Sequence, residues 1–297
     1  MSLRNWILLL LLGSIWGGSF IFAKVAVAEI PALILVFLRV FSAALALHVV
    51  LRIRKLSFPT QPSLLAAFLI MGLLNNAVPF SLLFWGQTEI SAALASILNA
   101  TTPIFTFLIA AIMMRQETIN LHRIAGVLTG FAGVVCMLLP SMSGTQDSPL
   151  WAQFACLGAA LSYGLAAAYA RRFKDTPPLV SATGQLTGSS LIMLPLAVMS
   201  ASSWSPAQTS SLAWVCVIAL GLLATAAAYL IYFRLLASAG ATNASLVTLI
   251  VPATAILFGV TLLGEGLSQA QMFGLTLLAL GLIILDGRVF RAVGLKT

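Results

Sequence analysis

Residues 92–107 read AALASILNATTPIFTF, and residues 244–257 read ASLVTLIVPATAIL. Ala95-Ser96 of the first stretch aligns with Ala244-Ser245 of the second, and Pro103 aligns with Pro252. Each stretch sets a proline inside an apolar run, at an offset of about half the 297-residue chain. The likeness extends outward from there. IAGVLTGFAGVV (124–135) matches MFGLTLLALGLI (272–283), pairing Gly126 with Gly274 and Gly133 with Gly281. GGSFIFAKV (17–25) matches GLAAAYARR (164–172) more weakly, which sets Lys24 opposite Arg171. The chain therefore reads as a duplication, with halves 1–145 and 146–297.

Composition says what medium the halves occupy. Hydrophobic residues make up 61% of the chain and charged residues 7%. A soluble domain carries about 25% charged residues, so these figures point to an integral membrane protein. Apolar runs of about 20 residues, enough to cross a hydrocarbon core of roughly 30 Å, recur from end to end. They predict an all-α fold of ten transmembrane helices, at 6–27, 31–51, 64–85, 92–113, 123–140, 151–172, 179–199, 212–237, 243–263 and 271–290. Arg4 followed by WILLLLLGSIW resembles a signal peptide. The apolar stretch runs on to Val27 with no A-x-A-like cleavage site, so it reads as a retained first span.

The basic residues test this partition. With the N-terminus cytoplasmic, Arg4, Arg52, Arg54, Lys55, Arg115, Arg123, Arg171, Arg172, Lys174, Arg234, Arg288, Arg291 and Lys296 all fall on the inner side. The outer connections hold Glu29, Glu89, Asp147 and Glu265 and no Lys or Arg. Adding or removing one span would destroy this asymmetry, so ten spans with both termini cytoplasmic is the expectation. Because five is odd, the second five-helix repeat enters the membrane from the opposite face. Inverted repeats of this kind are a recurring construction of secondary transporters, with the substrate near the midplane between the halves.

Within the spans, Pro103 frees the carbonyl of Asn99, Pro252 that of Thr248 and Pro79 that of Asn75. Such carbonyls are tolerated at membrane depth where they line protein or a wet cavity. Ser96 and Ser245 lie one turn earlier on the same face. Spans 4 and 9 are thus expected either to line a central pathway as symmetry mates, hinging at their prolines, or to carry packing kinks. Trp16, Phe20 and Lys24 share one helical face of span 1, and Asn76, Phe80 and Phe84 one face of span 3. Tyr163 sits midway along span 6, and Thr225, Tyr229 and Tyr232 follow one face of span 8. Aromatics beside amides and hydroxyls at depth suit an amphipathic solute with a flat apolar part.

Arg39 lies about nine residues into span 2, roughly 12 Å deep by the helical rise. A charge there defaults to a functional role. It pairs either with a substrate anion or with Glu29 or carbonyls that hold span 2. Lys24 either serves an anion or snorkels to the outer surface. No carboxylate lies deep enough to suggest a proton or sodium site.

Other patterns carry little. The net charge of +8 is scattered between apolar spans, which argues against nucleic acid. Cys136, Cys156 and Cys216 stand singly, without metal or disulfide spacing. His48 and His122 form no local metal motif, and no H-E-x-x-H or G-x-S-x-G is present, so neither an enzyme, a metal nor a cofactor is expected. Gly126 and Gly130 form GxxxG, a close-packing face that permits a homodimer without requiring one.

Ten spans, the paired ALASILNATTPIFT and ASLVTLIVPATAIL, glycine-rich fifth and tenth spans, WGGSF in span 1, the LRV around Arg39 and Leu-Gly-Glu265 after span 9 resemble the EamA family of the drug/metabolite transporter superfamily. Within it the chain is most similar to YddG-type exporters of aromatic and other neutral amino acids. The resemblance covers nearly the whole chain. It implies a multi-pass exporter of the bacterial inner membrane with a cavity walled by spans 1, 3, 4, 6, 8 and 9. It also implies Trp16, Asn76, Phe80, Asn99, Tyr163, Tyr229 and Thr248 as lining residues. The expected partners are a small solute and the lipid bilayer. Two competing readings are a carrier of lipophilic cations and a non-transporting receptor or channel subunit.

Overall fold

The structure, a computed structural model, describes residues 1–113, 120–142 and 148–287, with side chains described at all of these except Met113, Ser203, Ala241 and Thr242. Arg115, Asp147, Arg288, Arg291 and Lys296, used in the charge argument above, lie outside the described residues. Among the described residues the regular structure is entirely helical. Nine helices among the described residues are long and apolar enough to span a bilayer. They are α1 (Leu3–Val27), α2 (Ala32–Ile53), α3 (Pro62–Glu89), α4 (Ala92–Ile112), α5 (Leu121–Met142), α6 (Leu150–Phe173), α7 (Pro178–Ser200), α8 (Ser211–Ala239) and α10 (Gln269–Asp286). The apolar helix α9 (Val247–Leu263) is shorter, at 17 residues, and a single turn, Ala241–Ala244, precedes it. The ten expected spans are thus present, nine at full length.

Local sequence accounts for the ends. Ser91, Ser210 and Ser268 accept from the backbone three residues on, at Leu94, Ala213 and Gln271, satisfying N–H groups the first helical turn leaves open. Pro62 and Pro178 open α3 and α7, where a missing N–H costs nothing. Gly240, Gly264 and Gly287 follow α8, α9 and α10 at positive φ.

The side chains are sorted for lipid outside and protein inside. Leu10, Val49, Leu128, Leu194 and Leu212 are exposed, while Asn76, Gln153, Thr183 and Ser189 are fully buried. That distribution is the reverse of a water-soluble globule and suits an apolar solvent around the bundle.

The packing scheme has its own regularity. α2 packs on α7, α4 on α9 and α5 on α10. α1 packs on α9 as α6 packs on α4; α3 on α6 as α8 on α1; α3 on α7 as α8 on α2. Exchanging each helix of the first half for its counterpart in the second leaves this set unchanged. The α5–α10 contact is a close one. A Cβ at Gly126 would come 2.8 Å from the Gly281 carbonyl, and one at Gly133 would come 2.5 Å from that of Gly274. The glycine face of α5, which the sequence left open for a homodimer, is therefore taken by α10 of the same chain.

Two helices depart from α-geometry at matching places. α3 carries a π-helical turn at Leu73–Ala77, and α8 carries one at Ala219–Ala227. In α3 the turn lies just ahead of Pro79, and the Val78 N–H reaches back to the Leu73 carbonyl instead of the usual one. α8 has no proline there. Instead the Thr225 hydroxyl donates to the Leu220 carbonyl at 2.8 Å.

α4 and α9 differ from the symmetric hinge expectation. α4 breaks after Asn99 and resumes at Thr102, directly before Pro103, and the Thr102 hydroxyl donates to the Asn99 carbonyl at 2.7 Å. Pro252 sits inside an unbroken helix, and the break in that arm lies earlier, at residues 245–246. The two prolines share a register but not a backbone effect.

Candidate functional site

Between the helices lies a cavity of about 710 Å³. α1 contributes Trp16, Ser19 and Phe20; α3 contributes Met71, Asn75, Phe80, Leu83, Phe84 and Gln87; α4 contributes Ser96, Asn99 and Pro103. From the second half come Tyr163 of α6, Thr225, Tyr229 and Tyr232 of α8, Ser245, and Thr248 and Pro252 of α9. α2 contributes Arg39, and α7 contributes Ser181, Ala182 and Gln185. Among the described residues α5 and α10 contribute none.

Most expected site residues meet here: Trp16, Phe20, Arg39, Phe80, Ser96, Asn99, Pro103, Tyr163, Tyr229, Tyr232, Ser245, Thr248 and Pro252. Asn76, Pro79 and Lys24 do not. Asn76 is fully buried behind the wall, where its Oδ1 accepts from the Tyr229 hydroxyl at 3.3 Å. Its neighbour Asn75 takes the cavity position, and the reason is the π turn. One extra residue in a turn rotates everything upstream of it, so the face containing Phe80 and Phe84 continues through Asn75 and Met71 rather than Asn76. Asn75 Nδ2 donates to Gln185 Oε1 at 2.9 Å and to the Tyr229 hydroxyl at 3.3 Å, joining α3, α7 and α8. Gln185 carried no signal in the sequence. The tandem asparagines were visible, but which of them faces inward was not.

Lys24, half-buried, turns to backbone carbonyls of the same protein. Its ammonium donates to the carbonyls of Gln87, at 2.7 Å, and Ile90, at 2.9 Å. These carbonyls end α3, where the helix dipole favours a cation. Glu265 completes a clamp on the same turn from the other polarity. Its carboxylate accepts from Ala92 N–H at 2.7 Å and Ala93 N–H at 3.0 Å, the first amides of α4. Gly259 leaves the room, since a Cβ there would sit 2.5 Å from that carboxylate. The Gln87 side chain, 1% exposed, donates to the Phe20 carbonyl at 2.8 Å. With Phe84 and Leu83 also buried, the cavity is shut at this end. At the other end its lining includes the exposed Lys174, Pro178 and Ser245.

Glu29, offered above as a partner for Arg39, is occupied elsewhere. It accepts from the Ser210 amide and hydroxyl, each at 2.6 Å, at the start of α8. These bonds hold its carboxyl below the usual carboxylate range, the hydroxyl bond contributing most. Arg39 instead donates from Nε to Thr225 Oγ1 at 2.9 Å and stands 3.8 Å over the Phe80 ring. Trp16 and Tyr232, 5.7 Å apart, meet across the wall between α1 and α8. Three polar atoms of the lining, Gln87 Oε1, Asn99 Oδ1 and Ser181 Oγ, are buried without a protein partner among the described residues. No Asp or Glu lines the cavity among the described residues. The arrangement is a one-ended chamber with aromatic walls, a few amides and hydroxyls, and one deep cation.

Comparison with known proteins places this architecture. The chain is 26% identical over 271 residues to a Bacillus subtilis protein described as an uncharacterized transporter, YoaV, spanning 91% of this chain and 92% of that one. It is 26% identical to a Salmonella typhimurium protein described as a probable amino-acid metabolite efflux pump, spanning 96% and 95%. It is 25% identical to an Escherichia coli protein described as an uncharacterized inner membrane transporter, YedA, spanning 91% and 85%. A crystal structure of 18% identity superimposes with a TM-score of 0.67 over 97% of this chain and 99% of that one, which shows a shared fold. The sequence profile of the EamA-like transporter family matches residues 4–139 and again residues 150–285. The chain is therefore a multi-pass membrane transporter that belongs to the EamA-like transporter family, with two copies of the family's repeat.

Proposed function

We propose that the protein is a secondary transporter that exports amino acids, aromatic and other neutral ones first among them, or related small metabolites, through the central cavity by alternating access. The observation that carries this reading is the chamber itself. It is large enough for an amphipathic metabolite, walled by aromatics from both repeats, closed beside Lys24 and Glu265 and reaching exposed residues beside Lys174. The relative described as a probable amino-acid metabolite efflux pump supports the substrate class. The YddG-type preference for aromatic residues rests on Trp16, Phe80, Tyr163 and Tyr229 in the lining.

In this reading the halves 1–145 and 146–297 are inverted repeats, supported by the helix exchange that preserves the packing. Both termini are cytoplasmic and the membrane is the bacterial inner membrane. Trp16, Phe20, Phe80, Ser96, Asn99, Tyr163, Tyr229, Tyr232, Ser245 and Thr248 contact the solute. Asn76 acts from behind, through Tyr229. Pro79 and Pro103 set the irregular turns that let α3 and α4 move, while Pro252 supplies curvature only. Lys24 belongs to the closure of the chamber rather than to substrate. A carrier of lipophilic cations is disfavoured, since it calls for a buried carboxylate where the chamber offers a guanidinium.

The test is flux in liposomes of purified protein, following radiolabelled phenylalanine against threonine and a lipophilic cation. The expected result is saturable amino-acid flux that falls at least about tenfold in Asn99→Ala, the value of one to two kcal/mol of lost contact. Flux of the cation alone contradicts the reading.

A further inference from the structure

Within the amino-acid reading, on which this step rests, the state of Arg39 points to how substrate is selected. The residue is 6% exposed, lies well inside α2 and borders the cavity. Nε is spent on Thr225, whose own hydrogen goes to the Leu220 carbonyl in the π turn of α8. One flat face lies on Phe80 at 3.8 Å, with the Phe84 ring at 5.7 Å. The two terminal nitrogens take no protein partner among the described residues, and no carboxylate there pairs with the cation. Glu29, the nearest acidic residue in sequence, is bound to Ser210.

A cation at such depth is costly unless something balances it. The Phe80 face and one hydroxyl supply part of that balance. They also restrain the group at the border of the chamber and leave the edge formed by its two terminal nitrogens without a protein partner among the described residues. That edge matches the two oxygens of a carboxylate, which lysine at the same place would not reproduce. A single cation balances a single negative charge.

We propose that Arg39 is the carboxylate receptor of the chamber: the solute enters as a carboxylate-bearing molecule, seats that group on the terminal nitrogens of Arg39, and lays its apolar part along the Phe80 side of the wall. The receptor is built jointly by the two halves, since Arg39 comes from the first and its orienting Thr225 from the second.

The test changes the ligand before the protein, so that folding does not enter. Flux of phenylalanine and of phenylalaninamide, identical except for the carboxylate, is compared in the wild-type protein. The receptor predicts that the amide is moved on the order of 10- to 100-fold less well, the value of a charge-assisted pair lost from a buried site. Arg39→Lys and Arg39→Gln are then expected to narrow the acid-to-amide ratio toward one, a readout that a merely structural role for Arg39 leaves unchanged. Equal flux of acid and amide in the wild type overturns the receptor and leaves amino-acid transport standing. Flux of a lipophilic cation with none of either amino-acid form overturns the transport reading and the receptor together.

Discussion

The two ends of the chamber are built from different materials. At the closed end, one short turn between α3 and α4 is held by opposite charges: Lys24 on the last carbonyls of α3, Glu265 on the first amides of α4. Each charge comes from a distant part of the chain and sits where a helix dipole favours its sign. At the other end, the lining passes into exposed residues, Lys174, Pro178 and Ser245, and the polypeptide there changes course, at 245–246 and just after α6. Few, specific, charge-assisted bonds are what a carrier needs at a seal it must break and remake. At α5–α10, away from the cavity, glycines instead let the two helices touch. The molecule thus contrasts a glycine-packed seam with a charge-clamped turn.

Removing the clamp is the strongest way to break this contrast. Glu265→Ala leaves the amides of Ala92 and Ala93 without their acceptors, at a cost of about 3 kcal/mol to the closed state. The expected outcome is that a thiol placed at Leu83, in the lining of the sealed end, becomes reactive to an impermeant reagent from the side that is shut in the parent protein. Unchanged reactivity, in protein whose thermal unfolding is intact, would show that Glu265 does not hold the seal.

A smaller effect is expected at Glu29, which ties the α1–α2 connection to the start of α8 without touching the chamber. Its carboxyl is held below the ordinary value of 4.5 by the Ser210 hydroxyl and amide. A depressed folded-state value means that its stabilising contribution is fully present above pH 4.5 and is lost as pH falls through the lower, folded value. Glu29→Gln should therefore lower the melting temperature slightly at neutral pH and flatten its decline below pH 4.5. Identical acid melting profiles for the two proteins would remove Glu29 from the account.

Much of the fold was legible because the bilayer imposes it. Apolar runs of fixed length, Ser caps and the Lys and Arg pattern depend on the local sequence and on the solvent alone. The reading failed where one helix had to be positioned against another. Period-3.6 counting chose Asn76, because a π turn cannot be counted from composition; Pro79 was a signal for it, while α8 gave none. The sequence leaves Lys24 between an anion and the outer surface because its carbonyl partners lie more than sixty positions away. The GxxxG of α5 announced a close contact and left its partner, α10, unnamed. The shared register of Pro103 and Pro252 implied matching hinges, yet backbone breaks depend on the residues and packing around each proline.

The most direct measurement is sided thiol labelling of Thr248→Cys, in a protein otherwise free of cysteine, with and without phenylalanine. Thr248 borders the chamber near its exposed end. A carrier with this chamber as its binding site predicts reaction from the face that bears Lys174, slowed by phenylalanine over the same concentration range that saturates flux. Equal reaction from both faces at once, or reaction indifferent to phenylalanine at concentrations that saturate flux, would contradict the account.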